Sequence, residues 1–97
     1  MAAQIILQFD GVSEADYWAV NEKLGLSPDQ AAGWPDGIQT HTAGFADAGA
    51  FVVTEVWDSQ EAQGRFMESR LGPALHEVGL PAPSSITWIE LFGQKLV

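Results

Sequence analysis

Residues 37–57 have the sequence GIQTHTAGFADAGAFVVTEVW, and the fold prediction rests first on these residues. Two runs rich in branched and aromatic residues, 37–45 and 50–57, flank small turn residues at 47–49. This pattern predicts two antiparallel strands joined by a three-residue loop, with Gly49 in the left-handed conformation that ends such hairpins.

The loop length fixes which residues face each other across the predicted hairpin. The expected cross-strand partners on one face are Phe45 with Phe51, Ala43 with Val53, His41 with Glu55, and Gln39 with Trp57. A four-residue loop would instead shift the register and place His41 opposite Thr54. The His41–Glu55 pair therefore depends on a turn of three residues.

Working outward, the flanking sequence predicts two more strands and a first helix. The runs 3–9 (AQIILQF) and 85–92 (SITWIELF) are typical of largely buried strands. Ser13 with Asp16 resembles a capping box that starts a helix, and Gly25 ends that helix. Residues after this glycine, up to the hairpin, are predicted to form a loop.

A second helix is predicted between the hairpin and the last strand. Ser59 is its expected cap, and Gly79 with the following proline ends it. Gly72-Pro73 interrupts the backbone hydrogen bonds and predicts a kink or two abutting helices. The expected core-facing stripe repeats at helical spacing and consists of Met67, Leu71, Ala74, Leu75 and Val78.

The element order predicts an α+β fold. Strand, helix, strand, strand, helix, strand, with right-handed crossovers, places both helices on one side of a four-stranded antiparallel sheet. This is a ferredoxin-like βαββαβ arrangement. The 97 residues suffice for a single domain, predicted over 1–97.

Composition excludes several classes of function. The formal charge is −9, and Lys23, Arg65, Arg70 and Lys95 are scattered, which argues against nucleic-acid binding. The absence of cysteine excludes disulfides and thiolate chemistry. No apolar run approaches the ~20 residues of a membrane span, and no signal peptide is recognisable, so we expect a cytoplasmic protein without a membrane partner.

Both faces of the predicted sheet are apolar, which leaves open which of them meets the helices. Because two helices cover one face only, the other would expose a large apolar patch. We therefore predict a homodimer that packs sheet against sheet, with a different protein partner or the chain's own tail as alternative covers. The two candidate faces are Phe51, Val53, Glu55, Trp57, Ile86, Trp88, Glu90 and Phe92, and Val52, Thr54, Val56, Thr87, Ile89 and Leu91.

Two short motifs carry a resemblance to a known superfamily. The entry into the second strand at 33–37 (GWPDG) and the segment 56–62 (VWDSQEA), followed by Phe66, resemble the dimeric α+β barrel superfamily. The likeness is to its antibiotic-biosynthesis-monooxygenase and heme-degrading-monooxygenase branches. It implies two protomers forming one barrel and, if the protein is an enzyme, an oxygenase that needs no cofactor.

The heme-degrading branch is matched only in part. Its second-helix Trp and His correspond here to Phe66 and His76, and its first-strand Asn to Gln8 or Asp10. On an ideal helix, His76 lies opposite the expected core stripe, which favours a surface histidine. We therefore expect no heme, and no carboxylate–histidine spacing indicates a metal site.

His41 and Glu55 are the candidate catalytic residues. A His–Glu pair beside Trp57 can act as a general base, with Glu55 orienting the imidazole. A structural hydrogen-bonded pair and an exposed edge histidine are the alternatives. Glu90 also interrupts an apolar strand, and such carboxylates occur in pockets as well as at sheet rims and dimer seams.

The aromatic residues are the candidate walls of a substrate pocket. Trp34, in a loop rich in glycine and proline, is the candidate lid over the pocket mouth. Packing in the core and at the dimer interface is the competing interpretation, above all for Trp57 and Trp88. The full set of candidate substrate-binding residues is Tyr17, Trp18, Trp34, Trp57, Phe66, Trp88 and Glu90.

These observations lead to two functional hypotheses. The first is a cofactor-independent monooxygenase-like protein that acts on a small aromatic or apolar molecule. The second is a non-catalytic dimeric module that binds small molecules or is associated with stress, with a purely structural role in third place.

Overall fold

The computed structural model describes residues 2–27, 29 and 33–95, so part of the predicted loop, residues 28 and 30–32, lies outside the described residues. The elements in chain order are β1 (Ala3–Phe9), α1 (Glu14–Leu24), β2 (Ile38–Phe45), β3 (Phe51–Trp57), α2 (Gln60–Phe66), a π-helical turn (Met67–Leu71), α3 (Gly72–Val78) and β4 (Ser85–Glu90).

The sheet has the strand order β2-β3-β1-β4, and its neighbouring strands are all antiparallel. Two crossover connections, one through α1 and one through the second helical segment, produce this order. The predicted ferredoxin-like βαββαβ arrangement is therefore confirmed.

The predicted helix caps are confirmed in atomic detail. The Ser13 hydroxyl accepts from the Asp16 backbone N–H at 3.1 Å, and the Asp16 carboxylate accepts from the Ser13 N–H at 3.0 Å. Gly25 ends α1 with φ of 73°, and Ser59 caps α2 by accepting from the Ala62 N–H. These bonds satisfy backbone donors that a helix start leaves without partners.

The second helical segment runs through Gly72-Pro73 without separating into two abutting helices. A π-helical turn absorbs the proline, and the Gly72 N–H donates to the Met67 carbonyl. In a regular α-helix the Pro73 ring would clash with the carbonyl four residues earlier, and the wider turn avoids this. The turn also changes the helical phase, so Phe66 is buried in the core while Met67, predicted to lie there, does not join it.

The face that meets the helices is the one that contains Glu55. Its buried residues alternate along the two central strands and are Ala3, Ile5, Leu7 and Phe9 on β1, and Phe51, Val53, Glu55 and Trp57 on β3. The opposite face, which carries Val52, Val56 and Ile89, is not covered by any described element of this protomer, and Ile89 is 40% exposed.

Within the described residues, no helix combines the length and apolar character that a membrane crossing requires.

The hairpin register agrees with the prediction except at its far end. Phe45 pairs with Phe51, and His41 pairs with Glu55. Gly49 has φ of 95°, and the Ala46 N–H donates to the Ala50 carbonyl, which closes the predicted three-residue loop.

The prediction that Gln39 faces Trp57 is wrong. A β-bulge lies between Ile38 and Thr40, and Ile38 takes the place opposite Trp57. The bulge inserts an extra residue into β2 and so shifts the pairing by one position.

The last strand is shorter than predicted and ends at Glu90, with Phe92 fully exposed beyond it. The tail that follows crosses the end of the sheet toward β2. The Leu91 N–H donates to the Ala2 carbonyl, and the Gln94 amide donates to Gln39 at 2.9 Å.

Candidate functional site

A chain of hydrogen bonds links four side chains from α1, β2 and β3. The Tyr17 hydroxyl lies 2.6 Å from His41 Nε2, and His41 Nδ1 lies 2.7 Å from Glu55 Oε2. The Trp57 indole N–H donates to Glu55 Oε1 at 3.0 Å. Both nitrogens of His41 and both oxygens of Glu55 are therefore engaged.

The tautomer of His41 sets the direction of these bonds, and a neutral imidazole beside an ionised Glu55 gives each group its partner. Glu55 is only 4% exposed, and an ionised carboxylate in such a place requires donors on both oxygens. The fully buried Trp57 supplies one, because an indole N–H can only donate. With His41 Nδ1–H donating to the other oxygen, Nε2 is left as the acceptor for the Tyr17 hydroxyl proton.

Local sequence rules place each member of this chain. The three-residue loop sets His41 directly opposite Glu55, and Trp57 follows two residues later on the same face of β3. Tyr17 lies one turn after the Ser13 cap and donates its backbone N–H to the Ser13 carbonyl. The packing of α1 on the sheet then brings the Tyr17 hydroxyl to His41.

An apolar cavity of about 60 Å³ lies between the helices and the Glu55 face of the sheet. A water centre needs roughly 10–15 Å³, so this space exceeds that of a single water. Its lining is almost entirely hydrocarbon and consists of Leu7, Phe9, Val12, Tyr17, Val20, Asn21, Leu24, Leu26, Trp34, Pro35, Ile38, His41, Phe51, Val53, Glu55, Phe66, Leu71, Leu75 and Leu80.

A larger and more polar groove of about 560 Å³ adjoins this cavity on the outside. The groove adds Asp36, Gly37, Gln39 and Thr40 to its walls. The residues that line both spaces form the neck between them, and they are Tyr17, Asn21, Trp34, Pro35, Ile38 and His41.

Trp34 lies at this neck, where the sequence placed a pocket mouth. Its ring centroid is 5.0 Å from that of His41, and its indole N–H donates to the Ser27 carbonyl at 3.1 Å. The tryptophan therefore closes the imidazole off from one side.

Asn21 is a neck residue that the sequence reasoning missed. It lies one helical turn after Tyr17, is 6% exposed, and lines both the cavity and the groove. Within the described part of the chain its side-chain amide makes no hydrogen bond. The available signal was an asparagine at i+4 from Tyr17, on the face of α1 that carries Val20 and Leu24.

Some of the predicted site residues do come together. Tyr17, Trp34, His41, Glu55 and Phe66 all line the cavity, while Trp57 supports Glu55 from behind.

The other predicted residues lie elsewhere. Trp18 is 45% exposed and donates to Glu14, and Trp88 packs against the core from the edge strand β4. Glu90 is exposed opposite Ala3, and His76 is exposed in the last turn of α3.

No lysine or arginine is among the described residues that line the cavity or the groove. The Arg70 side chain makes structural contacts instead. Its guanidinium donates to the Leu24 carbonyl at 2.9 Å and the Gly33 carbonyl at 3.3 Å, and lies 5.4 Å from the Phe66 ring centre.

Across residues 2–27, 29 and 33–95, His, Asp and Glu form no cluster of three that could hold a metal ion.

Solved structures share this fold over nearly the whole chain. Rv0793 from Mycobacterium tuberculosis has 18% identity and a TM-score of 0.68, covering 97% of this chain and 98% of its own. A provisionally assigned antibiotic biosynthesis monooxygenase from Chloroflexus aurantiacus has 15% identity and a TM-score of 0.65, covering 98% of this chain and 97% of its own. Another from Deinococcus radiodurans has 18% identity and a TM-score of 0.59, covering 100% of this chain and 98% of its own.

These likenesses show the fold alone, because the identities are low. The chain has the α+β fold of antibiotic biosynthesis monooxygenase-like proteins, in agreement with the resemblance in its sequence motifs. No family sequence model matches the chain, and no curated protein matches it in sequence.

Proposed function

We propose that this protein is a monooxygenase-like enzyme that oxidises a small aromatic molecule with O₂, using the acid–base pair His41–Glu55. The observation that carries the proposal is the Tyr17–His41–Glu55–Trp57 chain, whose first three members line an apolar cavity. A general base held by an orienting carboxylate is the arrangement that proton abstraction needs.

The proposed chemistry uses the electrons of the substrate itself. Removal of a phenolic proton leaves the electron pair on the ring, which then reacts with O₂. One oxygen atom replaces a ring hydrogen, the other leaves as water, and the phenol becomes a quinone after giving four electrons. The hydrocarbon lining keeps water from the reactive anion.

We also propose that two protomers pack sheet against sheet. The uncovered face carries Val52, Val56 and Ile89, and covering their remaining exposed apolar surface would contribute roughly 25 cal/mol per Å². A second copy presents the same apolar face, and two-fold symmetry lets both be covered at once.

The alternative is a non-catalytic small-molecule-binding module. The same cavity and groove support it, since an enclosed apolar space with a few polar groups is typical of binding sites in general. The two functions differ in whether O₂ is consumed.

The deciding experiment measures O₂ uptake and product labelling with phenol and 1-naphthol under ¹⁸O₂. We expect a quinone that carries one ¹⁸O atom, formed at least about 100-fold more slowly by His41→Gln. Glu22→Gln, an exposed change on α1, is the control and retains the wild-type rate. Binding of these phenols without uptake would favour the binding module.

A further inference from the structure

Two polar side chains at the neck of the cavity come from a single face of α1. Tyr17 and Asn21 are one turn apart, so their side chains are neighbours on the helix surface. Both line the cavity and the groove, which means that a molecule extending from one space into the other passes alongside both.

The Asn21 amide is open to a ligand at the neck. The residue as a whole is 94% buried, and its amide makes no hydrogen bond to any described residue. The amide atoms are not among the fully buried side-chain atoms without a partner, so they reach the space that Asn21 lines. A ligand oxygen in the neck would find a partner there, since the amide can both donate and accept.

His41 cannot meet a ligand directly while the hydrogen-bond chain is intact. Glu55 engages its Nδ1 and the Tyr17 hydroxyl engages its Nε2. The Tyr17 oxygen still has a free acceptor site, because a hydroxyl carries two lone pairs besides its proton.

We propose that Tyr17 and Asn21 form a recognition pair for a neutral aromatic molecule with a hydroxyl group and a neighbouring oxygen. The substrate hydroxyl gives its proton to the Tyr17 oxygen as the Tyr17 proton passes to His41 Nε2, and the electron pair stays on the substrate oxygen. The neighbouring oxygen is held by the Asn21 amide. Tyr17 is then the catalytic residue, and His41 and Glu55 act through it.

The charges of the site favour a neutral ligand. The acidic residues of the lining are Glu55 and Asp36, and no cation among the described lining residues is available to pair with a carboxylate. The overall charge of −9 adds to this repulsion. This substrate class belongs to the proposed function. The inference rests on that function because the proton that Tyr17 accepts is the one whose removal starts the proposed oxidation.

Binding measured without oxygen tests the recognition separately from the oxidation. The probes are catechol, its dimethyl ether (1,2-dimethoxybenzene) and 2,3-dihydroxybenzoate, titrated by calorimetry under argon. We expect catechol to bind wild-type protein about tenfold or more tightly than either of the others. Equal binding of the benzoate, or of the dimethyl ether, would overturn the inference without any variant.

Three variants locate the recognition. Tyr17→Phe and the isosteric Asn21→Leu should each weaken catechol binding about fivefold to tenfold, as expected for one hydrogen bond. Glu22→Gln, on the solvent side of α1, is the matched control and should bind as wild type does. Unchanged catechol affinity in both Tyr17→Phe and Asn21→Leu would contradict the assignment.

The proton route has its own spectroscopic signature. Catechol should change the ¹⁵N chemical shift of His41 Nε2 in wild-type protein, because the Tyr17 hydroxyl connects the two. An unchanged shift at saturating catechol would overturn the relay. If the binding pattern holds but no phenol consumes O₂, the proposed oxidation fails while the recognition pair stands.

Discussion

His41 Nδ1 lies 2.7 Å from Glu55 Oε2 although the two residues are 14 positions apart in the chain. A hairpin register sets them opposite each other, and burial makes the contact necessary for the carboxylate. The same pair thus serves the stability of the sheet and the chemistry proposed for the cavity, which means that substitutions here affect both.

His41→Ala should destabilise the protein by about 3 kcal/mol, because it leaves the buried Glu55 carboxylate with the Trp57 N–H as its remaining donor. Urea denaturation monitored by tryptophan fluorescence measures the loss. Adding Glu55→Gln should recover part of it, since a neutral amide is easier to bury than a charge. A double variant no more stable than His41→Ala would argue against an ionised Glu55.

Gly37→Ala should destabilise the protein by about 2 kcal/mol or more. Gly37 has φ of 93°, and an added Cβ would lie 2.9 Å from the Ala62 Cβ. Gly49→Ala is the matched control, because Gly49 also has positive φ, at 95°, but faces open space. The control should cost about 1 kcal/mol, the backbone penalty alone. Equal losses for both in thermal unfolding would rule out the close contact with α2.

Arg70→Met should loosen the connection between the end of α1 and Gly33. The variant loses charge-assisted hydrogen bonds to the Leu24 and Gly33 carbonyls, a loss of about 2 kcal/mol. Hydrogen exchange should accelerate at the amides of 24–27 relative to wild type. Arg65→Met, an exposed change in the last turn of α2, is the control and should leave this exchange unaltered. Protection that survives in Arg70→Met would show that apolar packing alone holds this segment.

Ile89→Lys should convert the proposed homodimer into monomers. The added charge falls on the uncovered sheet face, where it would be buried without a partner in the dimer. Sedimentation velocity should give about 20 kDa for wild type and half that mass for the variant, since one chain has 10.4 kDa. Gln60→Lys, which adds the same charge on exposed α2, should stay dimeric. A wild-type protein that sediments as a folded monomer at micromolar concentration would contradict the proposal.

Much of the fold follows from interactions that are local in sequence. The Ser13–Asp16 capping box, the glycine that ends α1 and the three-residue hairpin loop each involve residues close together in the chain. Their geometry is therefore set by residue type and spacing, and with it the His41–Glu55 register. The π-helical turn before Pro73 escaped prediction because it relieves a clash of the proline ring rather than following a hydrophobic pattern. The bulge beside Gln39 escaped it because the hairpin rule that sets the register does not anticipate an extra residue.

Residue types and their spacing along the chain are enough to predict the order of the elements, the turn of the hairpin and the pairing of His41 with Glu55. Which sheet face the helices cover does not follow from the residues, because hydrophobic burial is non-directional and both faces are apolar. That choice buried Glu55, formed the cavity, and brought Tyr17 and Asn21 of α1 to its neck. Residues 24 positions apart, such as Tyr17 and His41, meet only when a helix has docked on the sheet, and no spacing rule along the chain specifies that docking.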